Sequence, residues 1–334
     1  MFRLNNDLWC GLGTNNTDLD VMAGSSAEIA IVGDVHGQWS SSDSSVLEAL
    51  GLDLVLFVGD FGNEALSIVR QIAAVPLPKA VILGNHDAWY TASKRNRKDC
   101  PYDPLKEDRL QQQLDALGAC HVGFDKLEVP LCKLTVVGAR PYSWGGSRWR
   151  HQQFYQERCH VGSFEESATK ICRVAKTAEQ DTLIFLGHNG PTGLGDQVHD
   201  ICGRDWKRSG GDYGDPDFAD AIAHTQRSGK QVALVVFGHM HHELRHDKTC
   251  LRQRLVVDDY GTVYVNGAQV PRVIETEAGR QHSFTLVTLQ AGRVQAVRLV
   301  WINDTANIVA EEYLYRCAAK TQHTTRRLGK FGLA

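Results

Sequence analysis

An α/β fold is what this sequence predicts, and three observations predict it. Short apolar runs recur along the chain, each ending in glycine. The first three alternate with helical segments in the order βαβαβ, which argues a parallel α/β core. A series of strand-like segments broken by hairpin turns closes the chain.

The elements follow in order. Residues 1–27, rich in Asn, Thr, Ser and Gly, read as a loose lead-in with a short edge segment near Leu8 and Trp9. Glu28-Ile29-Ala30-Ile31-Val32 is short and apolar enough for a buried strand. The serine cluster at 40–45 caps a helix with a Val46, Leu47, Leu50 stripe, and Gly51 stops it. Leu54-Val55-Leu56-Phe57-Val58 is the second strand. Residues 64–75 form an amphipathic helix closed by Pro76 and Pro78, and Ala80-Val81-Ile82-Leu83 is the third strand. Helices are expected over 104–117, 164–178 and 218–227. Strands are expected over 134–138, 182–186, 232–237, 254–257, 262–265, 283–289 and 294–301, with hairpin turns at 258–261 and 290–293. The closing strands are expected to build a second, largely antiparallel sheet. One domain over 28–305 follows, with a basic tail over 306–334 that carries Arg326, Arg327 and Lys330.

Composition excludes several classes. The 334 residues are 43% apolar and 22% charged, ordinary for a globular chain with a large core. A net charge of -3 gives no global argument for nucleic acid. Nine widely spaced cysteines without a CxxC pair read as reduced thiols. No apolar run approaches the ~20 residues of a membrane span, and residues 1–26 lack the apolar stretch of a secretory signal. The expectation is a cytoplasmic enzyme, or a stromal one in a plastid-bearing organism.

What the apolar runs deliver is more telling than the runs themselves. The first ends in Gly33-Asp34-Val35-His36-Gly37, where a carboxylate and an imidazole two apart can converge on a divalent metal. The second ends in Gly59-Asp60-Phe61-Gly62-Asn63. The third ends in Gly84-Asn85-His86-Asp87, the run at 182–186 in Gly187-His188-Asn189-Gly190, and the run at 232–237 in Gly238-His239-Met240-His241. Each run therefore supplies glycine and then a candidate ligand at its C-terminal end, where open α/β sheets bind their ligands. A turn after a strand explains any one of these blocks; five together it does not.

These blocks resemble the calcineurin-like metallophosphoesterases, which read Asp-x-His, Gly-Asp, Gly-Asn-His-Asp/Glu, a lone His and Gly-His-x-His in this order. The resemblance implies a four-layer α/β/β/α sandwich and a dinuclear centre. In it Asp60 bridges two ions, Asp34, His36 and His241 complete one ligand set, and Asn85, His188 and His239 complete the other. Carboxylate, imidazole and amide without thiolate favour Mn, Fe, Zn or Ni over calcium, with Mn favoured. The implied reaction is attack of a metal-bridging water on a phosphate mono- or diester. His86 is expected to project into the cleft as general acid without binding metal, and Asp87 to fix its tautomer and raise its pKa. The partner implied is a small phosphate ester, with no membrane, no clear nucleic acid and no reading of oligomeric state.

Two alternatives stand beside that reading. Serine/threonine protein phosphatases of this superfamily carry Gly-Asp-x-Val-Asp-Arg-Gly in the second block, and here the Asp-Arg-Gly continuation is missing. Other members of the fold are non-catalytic scaffolds that have lost ligands, and here no ligand position is substituted. The chain, with Asp200-Ile201-Cys202-Gly203-Arg204-Asp205-Trp206, also resembles a branch found in cyanobacteria and plastid-bearing organisms, which says nothing about substrate.

Further stretches carry weaker signals. Lys94, Arg95, Arg97 and Lys98 read as a solvated loop or as a positive lip near the third block. Residues 140–150 mix Arg140, Trp144, Arg148, Trp149 and Arg150, and either recognise an anion or stack on a base, or simply pack their tryptophans on the core. Residues 190–217 are long for a connection and read as a site-covering loop. His242 and His246 lie outside the ligand set, and nothing assigns a role to His199 with Asp200 and Asp205.

Overall fold

The structure, a computed structural model, describes residues 26–317 except Leu105. The expected lead-in and the end of the basic tail lie outside the described residues, apart from 26–27 and 306–317.

The first half alternates as the sequence predicts. Strand β1 (Ser26–Val32) leads to helix α1 (Ser41–Ala49), β2 (Leu54–Phe57), α2 (Leu66–Ala73) and β3 (Lys79–Val81). The backbone N–H of Ser40 donates to Asp43, closing the first turn of α1. Then come α3 (Trp89–Ala92), α4 (Arg109–Leu117), β4 (Lys126–Val129), β5 (Leu134–Gly138), α5 (Gln152–Cys159), α6 (Phe164–Lys176) and β6 (Thr182–Leu186). The chain continues through α7 (Pro216–Arg227), β7 (Gln231–Phe237), β8 (Leu255–Val257), β9 (Val263–Asn266), β10 (Val273–Thr276), β11 (Gly279–Gln290), β12 (Arg293–Asn303) and β13 (Ile308–Arg316).

Two mixed sheets result. One runs β13-β12-β11-β1-β2-β3, with β10 beside β11; the other runs β4-β5-β6-β7-β9-β8. β1, β2 and β3 are parallel, as are β5, β6, β7 and β9. Strands buried on both faces need continuous apolar runs rather than alternation, and every residue of β2 and β5 is buried. The parallel strands thus bring the ends of β1, β2, β3, β6 and β7 to one edge. There the sheets are tied together: Tyr142 N–H donates to the Leu83 carbonyl at 2.7 Å, and His239 N–H to Asp34 Oδ1 at 3.0 Å. Helices cover the outside, with α2 against α4 on one flank and α6 against α7 on the other.

The closing strands correct one expectation. They do not make a sheet of their own. β11 pairs antiparallel with β1, from Ser26↔Gln290 to Ile31↔Thr285, so β11, β12 and β13 extend the sheet that carries Asp34 and Asp60. β8 and β9 extend the other. The sheet also runs past residue 305, where the domain was expected to end, since β13 pairs with β12 as far as Arg316. Among the described residues no disulfide forms, and no helix is long and apolar enough to cross a membrane.

Candidate metal centre

Each candidate ligand sits just past a strand end, and the backbone there is bent hard. His36, Asp60 and His239 have φ of +44°, +54° and +68°. Non-glycine residues seldom adopt that region, and such strain collects at functional sites. The bends are interlocked: the Asp60 carbonyl accepts from the N–H of Val35 at 3.1 Å and of His36 at 2.7 Å.

Two of the block glycines have a steric reason. A Cβ on Gly84 would lie 2.3 Å from Asp60 Oδ1 and 2.5 Å from the His188 ring. A Cβ on Gly238 would lie 2.2 Å from Asp34 Oδ1. Any side chain there would displace a candidate ligand.

The side chains converge. His36 Nε2 and His241 Nε2 are 3.0 Å apart, and Asp34 Oδ2 lies 3.3 Å from the latter. On the other side His188 Nε2 is 3.0 Å from Asn85 Oδ1 and 3.3 Å from Asp60 Oδ1. Asp60 faces both ways, its Oδ2 being 4.0 Å from both His36 and His86. Ligand atoms of Asp34, His36 and His241, and of Asp60, His188 and His239, form groups within 4.8 Å; so do those of His36, Asp60 and His86.

The donor chemistry fits cations. His188 Nδ1 donates to the Val58 carbonyl at 2.7 Å, so whenever the ring is neutral its Nε2 carries no proton. That lone pair, the Asn85 oxygen and an Asp60 oxygen then face one another, three acceptors with no hydrogen between them. A divalent ion satisfies all three, and the carbonyl behind His188 is the outer partner a metal-binding imidazole needs.

The electrostatics agree. Burial opposes ionisation of Asp34, but the hydrogen bond from His241 and the charges of His241, His188 and His36 outweigh it. The carboxyl is held below the ordinary range. Burial, with His188 adding to it, pushes His239 down to about 3, so its ring is neutral and free to ligate. His239 N–H also donates to both Asp34 oxygens, at 3.0 and 3.1 Å, so that carboxylate is aimed from behind.

His86 takes a different environment from the one expected. Its Nδ1 meets Asn63 Oδ1 at 2.5 Å, and its ring stacks on Trp89 at 4.4 Å between centroids. Trp89 in turn stacks on Trp144. Burial lowers the pKa of His86, only partly offset by Asp60. Asp87 was expected to orient this ring and raise its pKa, and it does neither. Its carboxylate accepts from the backbone N–H groups of Asp60, Phe61 and Gly84, at 2.9, 2.9 and 2.7 Å. Asp87 clamps two strand ends together, while Asn63 holds the histidine. Neighbouring Glu64, fully buried, accepts from Tyr90 and Thr91 N–H and from the Tyr102 hydroxyl, which fastens the segment bearing Trp89. Asn63 and Glu64 stand where protein phosphatases carry Asp-Arg, and that departure was the signal that could have found them.

A model of the calcineurin-like phosphoesterases matches residues 27–243. The chain belongs to that family. Among solved structures it is similar to a dimetal phosphatase from Danio rerio, at 13% identity and a TM-score of 0.46, covering 87% of this chain and 99% of that one. It is also similar to a purple acid phosphatase from yellow lupin seeds, at 15% identity and a TM-score of 0.45, covering 87% and 54%. A metallophosphoesterase from Sphaerobacter thermophilus is similar at 14% identity and a TM-score of 0.33, covering 80% and 86%. No curated protein matches the chain.

The candidate centre opens into a cavity of about 130 Å³ lined by Asp60, His86, His241, Arg245, Asp205 and Trp206, among others. Asp205 and Trp206 come from the long 190–217 connection, which therefore walls the site. Arg252 holds that wall, donating to the carbonyls of Asp200 at 2.9 Å and Gly203 at 2.5 Å. The 140–150 loop divides its duties. Arg140 is buried and bonds Asp217 at 2.7 Å and Asp215 at 3.0 Å, and Trp149 packs on Tyr155 and Phe164. Arg148 and Arg150 are exposed. Lys94, Arg95 and Arg97 line a separate cavity of about 640 Å³ near α5 that contains no candidate ligand. His242 is buried against the Asn266 carbonyl, and His246 and His199 are exposed; none of them joins the centre.

Proposed function

We propose that this chain is a metal-dependent phosphoesterase that hydrolyses a small phosphate mono- or diester at a dinuclear centre. The observation that carries the reading is the split of Asp60, whose two oxygens face the His188 side and the His36 side separately. Asp34, His36 and His241 would hold one ion, Asn85, His188 and His239 the other, and Asp60 would span them. The mixture of carboxylate, imidazole and amide suits Mn, Fe, Zn or Ni, with Mn the first choice.

Two such ions, when bound, lower the pKa of water toward neutrality and neutralise charge on phosphoryl oxygens. The chain supplies the rest. Hydrolysis adds water across a P–O bond, and one proton must end on the departing oxygen. His86 is the group we assign to deliver it: the imidazolium form gives up its Nε2 proton to the departing oxygen, returns to the neutral Nδ1–H form, and is recharged by the proton released from the attacking water. Asn63 keeps the Nδ1 proton and so keeps Nε2 turned to the cleft. Arg245 and Trp206 shape the mouth. The widely spaced cysteines support a reducing compartment, the cytoplasm.

The test is hydrolysis of p-nitrophenyl phosphate and bis(p-nitrophenyl) phosphate by purified protein across a panel of Mn, Fe, Zn, Ni and Mg. Turnover dependent on one of the transition metals is expected. Ions bound with no turnover on either ester would replace this reading with a scaffold. Phosphoproteins cleaved far faster than every small ester would replace it with a protein phosphatase.

A further inference from the structure

Beside the centre lies a second cavity, of about 360 Å³, walled by Arg148, Arg150, Arg204 and Lys207 together with Trp206 and Tyr213. Its one acid is Asp212, whose carboxylate already accepts from the Thr192 hydroxyl and Gly193 N–H, each at 2.6 Å, and from Gly214 N–H at 2.8 Å. Four cations therefore stand against one occupied carboxylate. Among the described residues none of the four cations is in an ion pair. A run of surface cations is usually only a solvated face, but this group is built differently. The cations come from two loops, 140–150 and 190–217, which are joined where Gly146 N–H donates to the Tyr213 carbonyl at 2.9 Å. Arg204 is fixed by the Gly210 carbonyl, which accepts from Nε and Nη2 at 2.9 and 2.6 Å. Trp206 lines this cavity and the metal centre alike, with Tyr213 edge-on to it at 4.5 Å.

We infer that this cavity receives a second phosphate of the substrate, so that the favoured esters carry two phosphate groups, one at the centre and one here. The inference rests on the phosphoesterase reading above and names its substrate class. Arginine forks suit the oxygens of a phosphate dianion, and lysine adds a point charge. The Trp206–Tyr213 wall lies between the two positions and would face the linking part of the molecule.

A length series tests it. Alkanol monophosphates and α,ω-alkanediol bisphosphates of matched length are hydrolysed by the metal-loaded protein, and kcat/KM is compared. The bisphosphate should be favoured at least about tenfold at one or more lengths, the scale of a lost charge-assisted contact. The double variant Arg148→Ala, Lys207→Ala changes two exposed side chains. It should lose that preference while keeping p-nitrophenyl phosphate turnover. Equal rates for the two series at every length, or an unchanged preference in the variant, would overturn the inference. A second arm needs no turnover: metal-free protein is titrated with inorganic pyrophosphate by calorimetry. Wild type should bind, and the variant should bind at least about tenfold more weakly. Variant-sensitive pyrophosphate binding without hydrolysis of any ester would sink the esterase reading and leave the anion cavity standing. Pyrophosphate binding that is absent, or the same in both proteins, would remove the cavity. Variant-sensitive binding of a single-stranded oligonucleotide, tighter than that of any bisphosphate, would overturn the inference in favour of nucleic acid.

Discussion

His86 Nδ1 lies 2.5 Å from the side-chain oxygen of Asn63, while Asp87, its neighbour in sequence, binds only backbone N–H groups. The contact assigns a tautomer. Nδ1 keeps its proton for the amide, and Nε2 faces Asp60 across 4.0 Å. Outer partners that orient a working imidazole are typically worth about 10- to 100-fold. Asn63→Ala should therefore lower kcat on an alkyl phosphate by about that factor, with metal content unchanged by elemental analysis. A loss under about twofold would take Asn63 out of the proposed role.

His86→Ala should keep the metals and lose most turnover. General acid catalysis is worth about 10²–10⁴-fold, and the loss should fall in that range for an alkyl leaving group. It should shrink for an aryl phosphate, whose oxygen departs without a proton. Equal loss on both would make His86 a phosphoryl-positioning group. Its Nε2 is close enough to Asp60 and His36 to reach an ion, so a fall in metal content in this variant would instead make it a ligand.

Asp60→Ala should behave in the opposite way. It removes the carboxylate that faces both ligand groups, so metal content and activity should drop together. Chelation of the wild-type protein should abolish turnover, and Mn should restore it. Full metal occupancy in Asp60→Ala would refute the bridging role.

Arg140 makes a stability prediction. It is buried, bonded to Asp215 and Asp217, and it ties the 140–150 loop to the start of α7. Removing one partner of such a buried group costs about 3–5 kcal/mol, because the carboxylates stay buried without their cation. Arg140→Ala should lose that much by urea unfolding near pH 8. Burial already pushes Asp215 up to about 6 despite Arg140. The loss should be smaller near pH 5, where the orphaned carboxyl can take up a proton. The same loss at both pH values would show that cavity formation dominates instead.

What the sequence could reveal follows from where its chemistry is local. Gly84 and Gly238 stand directly against Asp60 and Asp34, so the closeness of the site is written into each block as glycine followed by a ligand. The contact between His86 and Asn63 joins two blocks across a sheet, and adjacency in sequence suggested Asp87 instead. In the 3-10 turn over His86–Ala88 successive side chains point apart. The sheet assignment of β11 was hidden for a similar reason. Its alternation marks a strand, but nothing in residues 279–290 names β1 as its partner. β4 is half-exposed over most of its length and β13 is largely exposed, so neither shows a clear apolar run. The helical stripe of α5 is equally faint, with Phe154 and Tyr155 adjacent rather than a turn apart.

A buried charge group outside the candidate metal centre gives a pH prediction with a definite sign. Asp43, 1% exposed, accepts from Arg272 at 2.6 Å and lies 3.0 Å from His282 Nδ1. Burial works against its ionisation, but the bonds and charges of His282 and Arg272 prevail and hold its pKa at about 2, against an ordinary value of 3.8. A carboxyl depressed in the fold contributes its stability above its unfolded value and loses it as pH falls through the folded one. The contribution, about 2 kcal/mol, should therefore vanish between pH 4 and pH 2. His282 runs the other way. Burial lowers its pKa, yet bonds to Asp43 and Asp304 raise it above 6.5 overall. Its share is complete below 6.5 and is lost as pH rises through the folded value. Urea unfolding of chelated wild type and Asp43→Asn, compared from pH 2 to pH 9, separates this group from the metal-site histidines common to both. Wild type should be steeper than the variant between pH 2 and pH 4 and should also lose stability relative to it above pH 6.5. Parallel profiles across the acid range would mean that Asp43 is neutral in the folded protein and that Arg272 lies buried without an ionised partner there.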